Sequence, residues 1–75
     1  MKIVEVKDSS AVLKLGYDGE NLFVQFVGGA WYKYFHVPEK MFERLSTSDS
    51  VGQCLNREIK PKYTQYEPCV FNPVS

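Results

Sequence analysis

Two kinds of residue in this chain could do chemistry: a dense run of rings and a set of cations that follows it. Trp31, Tyr32, Tyr34 and Phe35 crowd the stretch "GGAWYKYFHVP", residues 28–38, and His36 completes it. Rings at that density on a small chain serve either core packing or the stacking of a flat ligand, and a phosphate-bearing ligand also needs cations. The segment "NREIKPKY" supplies Arg57, Lys60 and Lys62, with Asn56 before them and Tyr63 after. Ser9 and Ser10 precede the first strong apolar run, where their hydroxyls suit backbone hydrogen bonds or the polar edge of a ligand. The candidate ligand-binding set is therefore Trp31, Tyr32, Tyr34, Arg57, Lys60, Tyr63, Ser9, Ser10 and Asn56. For Tyr32 and Tyr34, core packing with the hydroxyl bonded at the edge is the competing role.

Catalysis ranks below binding. A serine (Ser9 or Ser10), the single histidine His36 and an aspartate (Asp8, Asp18 or Asp49) are all present, yet no nucleophile elbow or paired-acid spacing draws them together. Cys54, Cys69 and His36 are too widely spread for a zinc knuckle, and no glycine loop of the phosphate-cradling type occurs. No catalytic residue, metal or cofactor is assigned, and the protein is expected not to be an enzyme. Nine basic residues balance nine acidic ones, a net charge of zero. Tracking a nucleic-acid backbone calls for a basic excess. A compact nucleotide needs only a stacking ring and one or two cations, which fits the charge better.

The elements that must position these groups read as strands followed by helices. "KIVEV", residues 2–6, suits a short edge strand. "AVLKLGY", residues 11–17, alternates Leu13, Leu15 and Tyr17 against Val12, Lys14 and Gly16. Asp18-Gly19 signals a tight turn into "NLFVQFV". A three-residue loop at Gly28, Gly29 and Ala30 would set Phe26 opposite Tyr32 and Val24 opposite Tyr34. It is preferred to a Gly28-Gly29 turn because it gathers Leu22, Val24, Phe26, Tyr32 and Tyr34 on one face. Phe23, Val27, Trp31, Lys33 and Phe35 then share the other.

Pro38 opens a helix through Thr47 that buries Met41, Phe42 and Leu45. A second helix runs from the capping candidates Ser48 and Asp49 to Ile59, with Val51, Leu55 and Ile59 on one stripe. Gly52 lies beside that stripe, and a helix glycine costs about 1 kcal/mol against alanine, so it marks a close approach to backbone or ligand. Pro61 ends the helix. The tail beyond it is expected to be extended, with Tyr63, Tyr66 and Phe71 as tethers and its last few residues disordered.

The expected fold is α+β: an antiparallel three- to four-stranded meander followed by two short helices packed on one face. At 75 residues the chain forms a single domain, 1–75, with its core at about 6–63 and a tail at 64–75. That size is near the lower limit for a self-sufficient core, so a staple or oligomerisation is called for. Cys54 and Cys69 are read as separate thiols, because nothing suggests an oxidising compartment. The start "MKIVEVKD" lacks the apolar stretch of a signal peptide, and no run approaches membrane-spanning length. A soluble cytoplasmic protein without membrane contact is expected. Two helices cover one sheet face, so the face bearing Phe23, Val27, Trp31 and Phe35 is expected to stay open and to join copies into a homo-oligomer, with the ligand site where subunits meet.

The segments "SSAVLKLGYD", "LFVQF", "YKYFHVP", "LSTSDSVG" and "NREIKPKY" together resemble the KTSC domain. This short module is named for the C-terminus of some lysyl-tRNA synthetases and also occurs free-standing in bacteria and phages. The resemblance spans residues 6–63. Tyr32 and Tyr34 match its Tyr-x-Tyr, Ser9 and Ser10 its serine pair, and Gly52 its helix glycine, with Asn56, Ile59 and Tyr63 following. The synthetase association implies an RNA-binding role, and a phage form would use nucleotide capture to withdraw a signal from its host. The reading placed first is a noncatalytic module that captures a small nucleotide-type ligand by aromatic stacking and basic side chains. The alternatives are an RNA-binding module, with Lys33, Arg57, Lys60 and Lys62 on phosphates, and a protein–protein adaptor joined through Trp31 and Phe35.

Overall fold

A computed structural model describes residues 2–7 and 9–69. Four strands follow one another as antiparallel neighbours: β1 (Lys2–Glu5), β2 (Val12–Tyr17), β3 (Leu22–Phe26) and β4 (Trp31–Tyr34). Helix α1 (Glu39–Ser46) comes next, then α2 (Val51–Cys54), which runs directly into a π-helical turn (Leu55–Ile59). The chain returns as β5 (Tyr66–Cys69) against β4, so the sheet has five strands in the order β1-β2-β3-β4-β5. The α+β arrangement stands, and the strand number of three to four is corrected to five. Pro68 conceals the fifth strand in the sequence, since proline cannot donate to a ladder. Here the Phe35 N–H donates to the Gln65 carbonyl at 3.1 Å, which puts the bonded positions at residues 65, 67 and 69 and turns the Pro68 nitrogen to the open edge. A proline there also blunts that edge against further pairing.

Two local features decide which side chains face the helices. A bulge between Val12 and Lys14 interrupts the alternation of β2, so that Val12 is fully buried while Leu13 is 40% exposed. This corrects the expected grouping of Leu13 with Leu15 and Tyr17. The hairpin loop is Val27-Gly28-Gly29, one residue earlier than expected: Phe26 N–H donates to Ala30 O at 2.9 Å, and Gly29 N–H to Phe26 O at 3.0 Å. Gly28 and Gly29 both carry positive φ, 109° and 98°, a demand met inside the loop and not at its end. Val24 therefore faces Tyr32 and Leu22 faces Tyr34. The register moves by two, so the faces are preserved even though each cross-strand partner changes.

On the inner face, Leu15, Tyr17, Leu22, Val24 and Tyr34 pack with Phe42 and Leu45 of α1 and with Val51, Leu55 and Ile59 behind them. The Tyr17 hydroxyl donates to the Val37 carbonyl at 2.6 Å, and its ring stacks on Phe42 at 5.2 Å. Pro38 is the N-cap of α1, one place before its expected position. The expected caps of the second helix are also corrected. Its N-cap is Ser50, without a side-chain cap bond, while Ser48 Oγ accepts the Ser50 N–H at 3.1 Å. A Cβ on Gly52 would lie 3.3 Å from Ser9 Oγ, so the close approach it marks is to the 9–11 segment. Cys54 and Cys69 are both free thiols. Among the described residues no helix is long and apolar enough to cross a membrane. Asp8, the tether Phe71 and the last residues expected to be disordered lie outside the described residues.

Candidate ligand groove

Strand alternation sends Tyr32 and Tyr34 to the helix side of the sheet, and pairing places Tyr66 of β5 directly opposite Tyr34. The helices cover the sheet where Leu15, Leu22 and Val24 rise, but they leave the corner around Phe26 and Ala30 bare. A groove of about 590 Å³ occupies that corner, lined by Phe26, Val27, Ala30, Tyr32, Tyr34, Tyr66 and Lys60. Its volume falls within the range of about 300–1,000 Å³ usual for small-molecule sites.

The floor is a continuous ring cluster. Tyr66 stacks on Tyr34, with centroids 5.2 Å apart at 27°, and meets Tyr32 edge-on at 6.1 Å. Tyr32 in turn meets Phe26 edge-on at 5.5 Å and 76°. Tyr34 is buried, while Tyr66 is 56% exposed and so offers ring surface to a visitor. Burial, with smaller contributions from Tyr66 and Tyr32, holds the Tyr34 hydroxyl above the ordinary phenol value, so it stays a neutral donor and acceptor.

Lys60 forms the rim, and the helix end delivers it there. Pro61 has no N–H and its ring excludes the carbonyl four residues back, which widens the last turn. The Lys60 N–H accordingly donates to the Leu55 carbonyl at 3.0 Å, a π-type bond. The Lys60 ammonium stands 5.6 Å from the Phe26 centroid, and among the described residues no carboxylate pairs with it. Lys62 differs: Glu58 lies 3.5 Å from it and also 3.4 Å from Arg44.

The groove thus brings together Tyr32, Tyr34 and Lys60 from the candidate set. Trp31 is on the opposite sheet face and only 8% exposed. Arg57 and Asn56 are exposed on the π-helical turn, outside the groove. Tyr63 lines a second, smaller cleft of about 300 Å³ with His36 and Lys62. Ser9 Oγ accepts the N–H groups of Ala11 and Val12, each at 3.1 Å, a structural role, and Ser10 is exposed nearby. His36 has a φ of +57°, and its Nδ1 lies 3.3 Å from Glu20. Sequence reasoning missed Tyr66 and Phe26 as site residues. Phe26 was already placed on the right face, and only the gap in the helix layer distinguishes it from core.

The expected open face is corrected as well. Phe23 is 7% exposed and Trp31 8%, within one chain, and Lys33 lies over the rings of both Phe23 and Phe35. Of the four side chains expected to form that face, Phe23, Val27, Trp31 and Phe35, only Val27, at 56%, is openly exposed, and it belongs to the loop beside the groove.

This architecture, a five-stranded meander with two short helices on one face, is shared. It superimposes with a TM-score of 0.80 on the crystal structure of a KTSC domain protein from Yersinia pestis, 29% identical, covering 92% of this chain and 97% of that one. The KTSC domain pattern matches residues 8–63, and the chain belongs to the KTSC domain family. It is 38% identical over 58 residues to a protein of Tsukamurella paurometabola, covering 75% of this chain and 87% of that one. An uncharacterized protein of Stutzerimonas stutzeri is 40% identical over 60 residues, with 77% and 84% covered.

Proposed function

We propose that this domain is a noncatalytic module that captures a small nucleotide-type ligand in the groove between β3, β4, β5 and the end of the helix. One observation carries the reading: a cluster of stacked rings borders the same cavity as a lysine that no carboxylate among the described residues neutralises. Tyr66 and Tyr32 supply stacking for a base, which is worth about 1–3 kcal/mol per stacked base. Lys60 supplies the charge for a phosphate. Arg57 has no part in this site, so charge reversal of Lys60 alone is expected to weaken binding.

The test is to recover the protein from a nucleotide-rich lysate, denature it and identify by mass spectrometry any small molecule released. A nucleotide at near-stoichiometric amount supports the reading, and titration then gives its affinity. A protein that releases nothing and binds only oligoribonucleotides, with a steep salt dependence, would be an RNA module instead. Homo-oligomerisation is a separate expectation, tested by light scattering on the wild type. The contact expected for it, through Phe23 and Trp31, needs redrawing because both side chains are buried within one chain.

A further inference from the structure

Resting on the nucleotide reading above, the geometry points to a limit on ligand charge: the groove takes nucleotides whose phosphate bears one or two negative charges and gains nothing from a triphosphate. Lys60 is the residue that reads the phosphate. Three observations lead there. Among the described residues that line the groove, Lys60 is the single cation. The neighbouring cations Lys62 and Arg44 both face Glu58, a carboxylate that cancels much of the field they would add. Lys60 also stands at the C-terminal cap of the helical segment. A helix end of this kind presents carbonyl oxygens, the negative pole, where phosphate-binding helices present N–H groups.

A second and third phosphate would therefore meet no further cation among the described lining residues and would lie near the carbonyl end of the helix. The first phosphate meets a lysine that stands over the Phe26 ring. Among the described residues this lysine has no carboxylate to leave, so its charge is available to the phosphate. Affinity beyond that single contact comes from the rings.

The experiment is calorimetric titration of the full chain with adenosine, adenosine monophosphate and adenosine triphosphate, and with the matching uridine series, in the absence of divalent cations. The monophosphate is expected to bind about tenfold tighter than the nucleoside, the scale of one charge-assisted hydrogen bond. The triphosphate is expected to bind no tighter than the monophosphate. In Lys60→Met the nucleoside affinity stays and the monophosphate advantage disappears, whereas Lys62→Met, outside the groove, keeps that advantage. Circular dichroism checks that both variants are folded. A triphosphate that binds tenfold tighter than the monophosphate, or an advantage that survives Lys60→Met, overturns the charge limit and leaves the nucleotide reading in place. If neither series binds at all, the nucleotide reading falls and the charge limit falls with it.

Discussion

The two faces of the β3–β4 hairpin carry similar numbers of rings and do different things with them. On one face Phe23 and Trp31 are buried, and Lys33 lies across Phe23 and Phe35. On the other, Tyr34 is buried, Tyr32 is half-buried and the neighbouring Tyr66 is 56% exposed in the groove that Lys60 borders. The face expected to be open holds the less accessible rings. The face that the helices cover holds the groove, because they cover it incompletely. Ring content therefore says little about use. What matters is whether the layer above leaves a gap, and whether a charge borders it.

The sharpest way to break this comparison is to empty the first face. Trp31→Ala is expected to cost about 3–5 kcal/mol, as for a large buried aromatic. In a domain of this size each kcal/mol lowers Tm by about 4–8 °C. Thermal unfolding followed by circular dichroism reads this directly, and a loss below about 1 kcal/mol would show that Trp31 is not held as its burial implies. Next comes the covered part of the groove face. Tyr17→Phe removes the donor to the buried Val37 carbonyl, and leaving such a group unpaired is expected to cost about 1–3 kcal/mol by urea denaturation. An unchanged midpoint would mean that water replaces the lost donor.

Tyr66→Ala should do the reverse of Trp31→Ala. Its ring is half in solvent, so stability is expected to fall by only about 1 kcal/mol, the value of an aromatic pair, while nucleotide affinity falls about tenfold for one lost stacking surface. Equal affinity in wild type and variant would separate the groove from binding. The smallest effect is in alkali. Burial raises the pKa of both Tyr17 and Tyr34 above the ordinary phenol value of 10.0. A folded value above the unfolded one means that their contribution is complete below that pH and is lost as pH climbs through the raised native values. Stability should therefore decline on the alkaline side, and less steeply in Tyr17→Phe than in wild type. Parallel alkaline limbs would assign the decline to other groups.

Much of this protein is local and was legible. Alternation in "NLFVQF" and "WYKY" sorts side chains within each strand, and a three-residue loop in either placement keeps the same parity, so an error of two residues in register left every face of the hairpin intact. The stripe Val51, Leu55 and Ile59 and the stop at Pro61 are equally local. The glycine at 52 spoke of a close approach, and a neighbour was found in Ser9. The family resemblance, too, rests on the order of short segments along the chain.

Coverage is a different kind of property. Whether a ring is core or site depends on what lies over it, and that is fixed by where two helices end relative to five strands. Nothing in "YEPC" announces a strand, because Pro68 breaks the pattern and is tolerated only at an edge that already exists. Tyr66 becomes part of the floor only once that edge pairs with β4, and Lys60 borders the groove from a helix end that widens into a π turn. In β3, β4 and the second helix the local period was enough to say which side chains share a face, whereas the bulge beside Leu13 in β2 broke that period without a local signal. The tertiary structure alone decided which of them stay open, because a gap between layers is made by residues far apart in the chain.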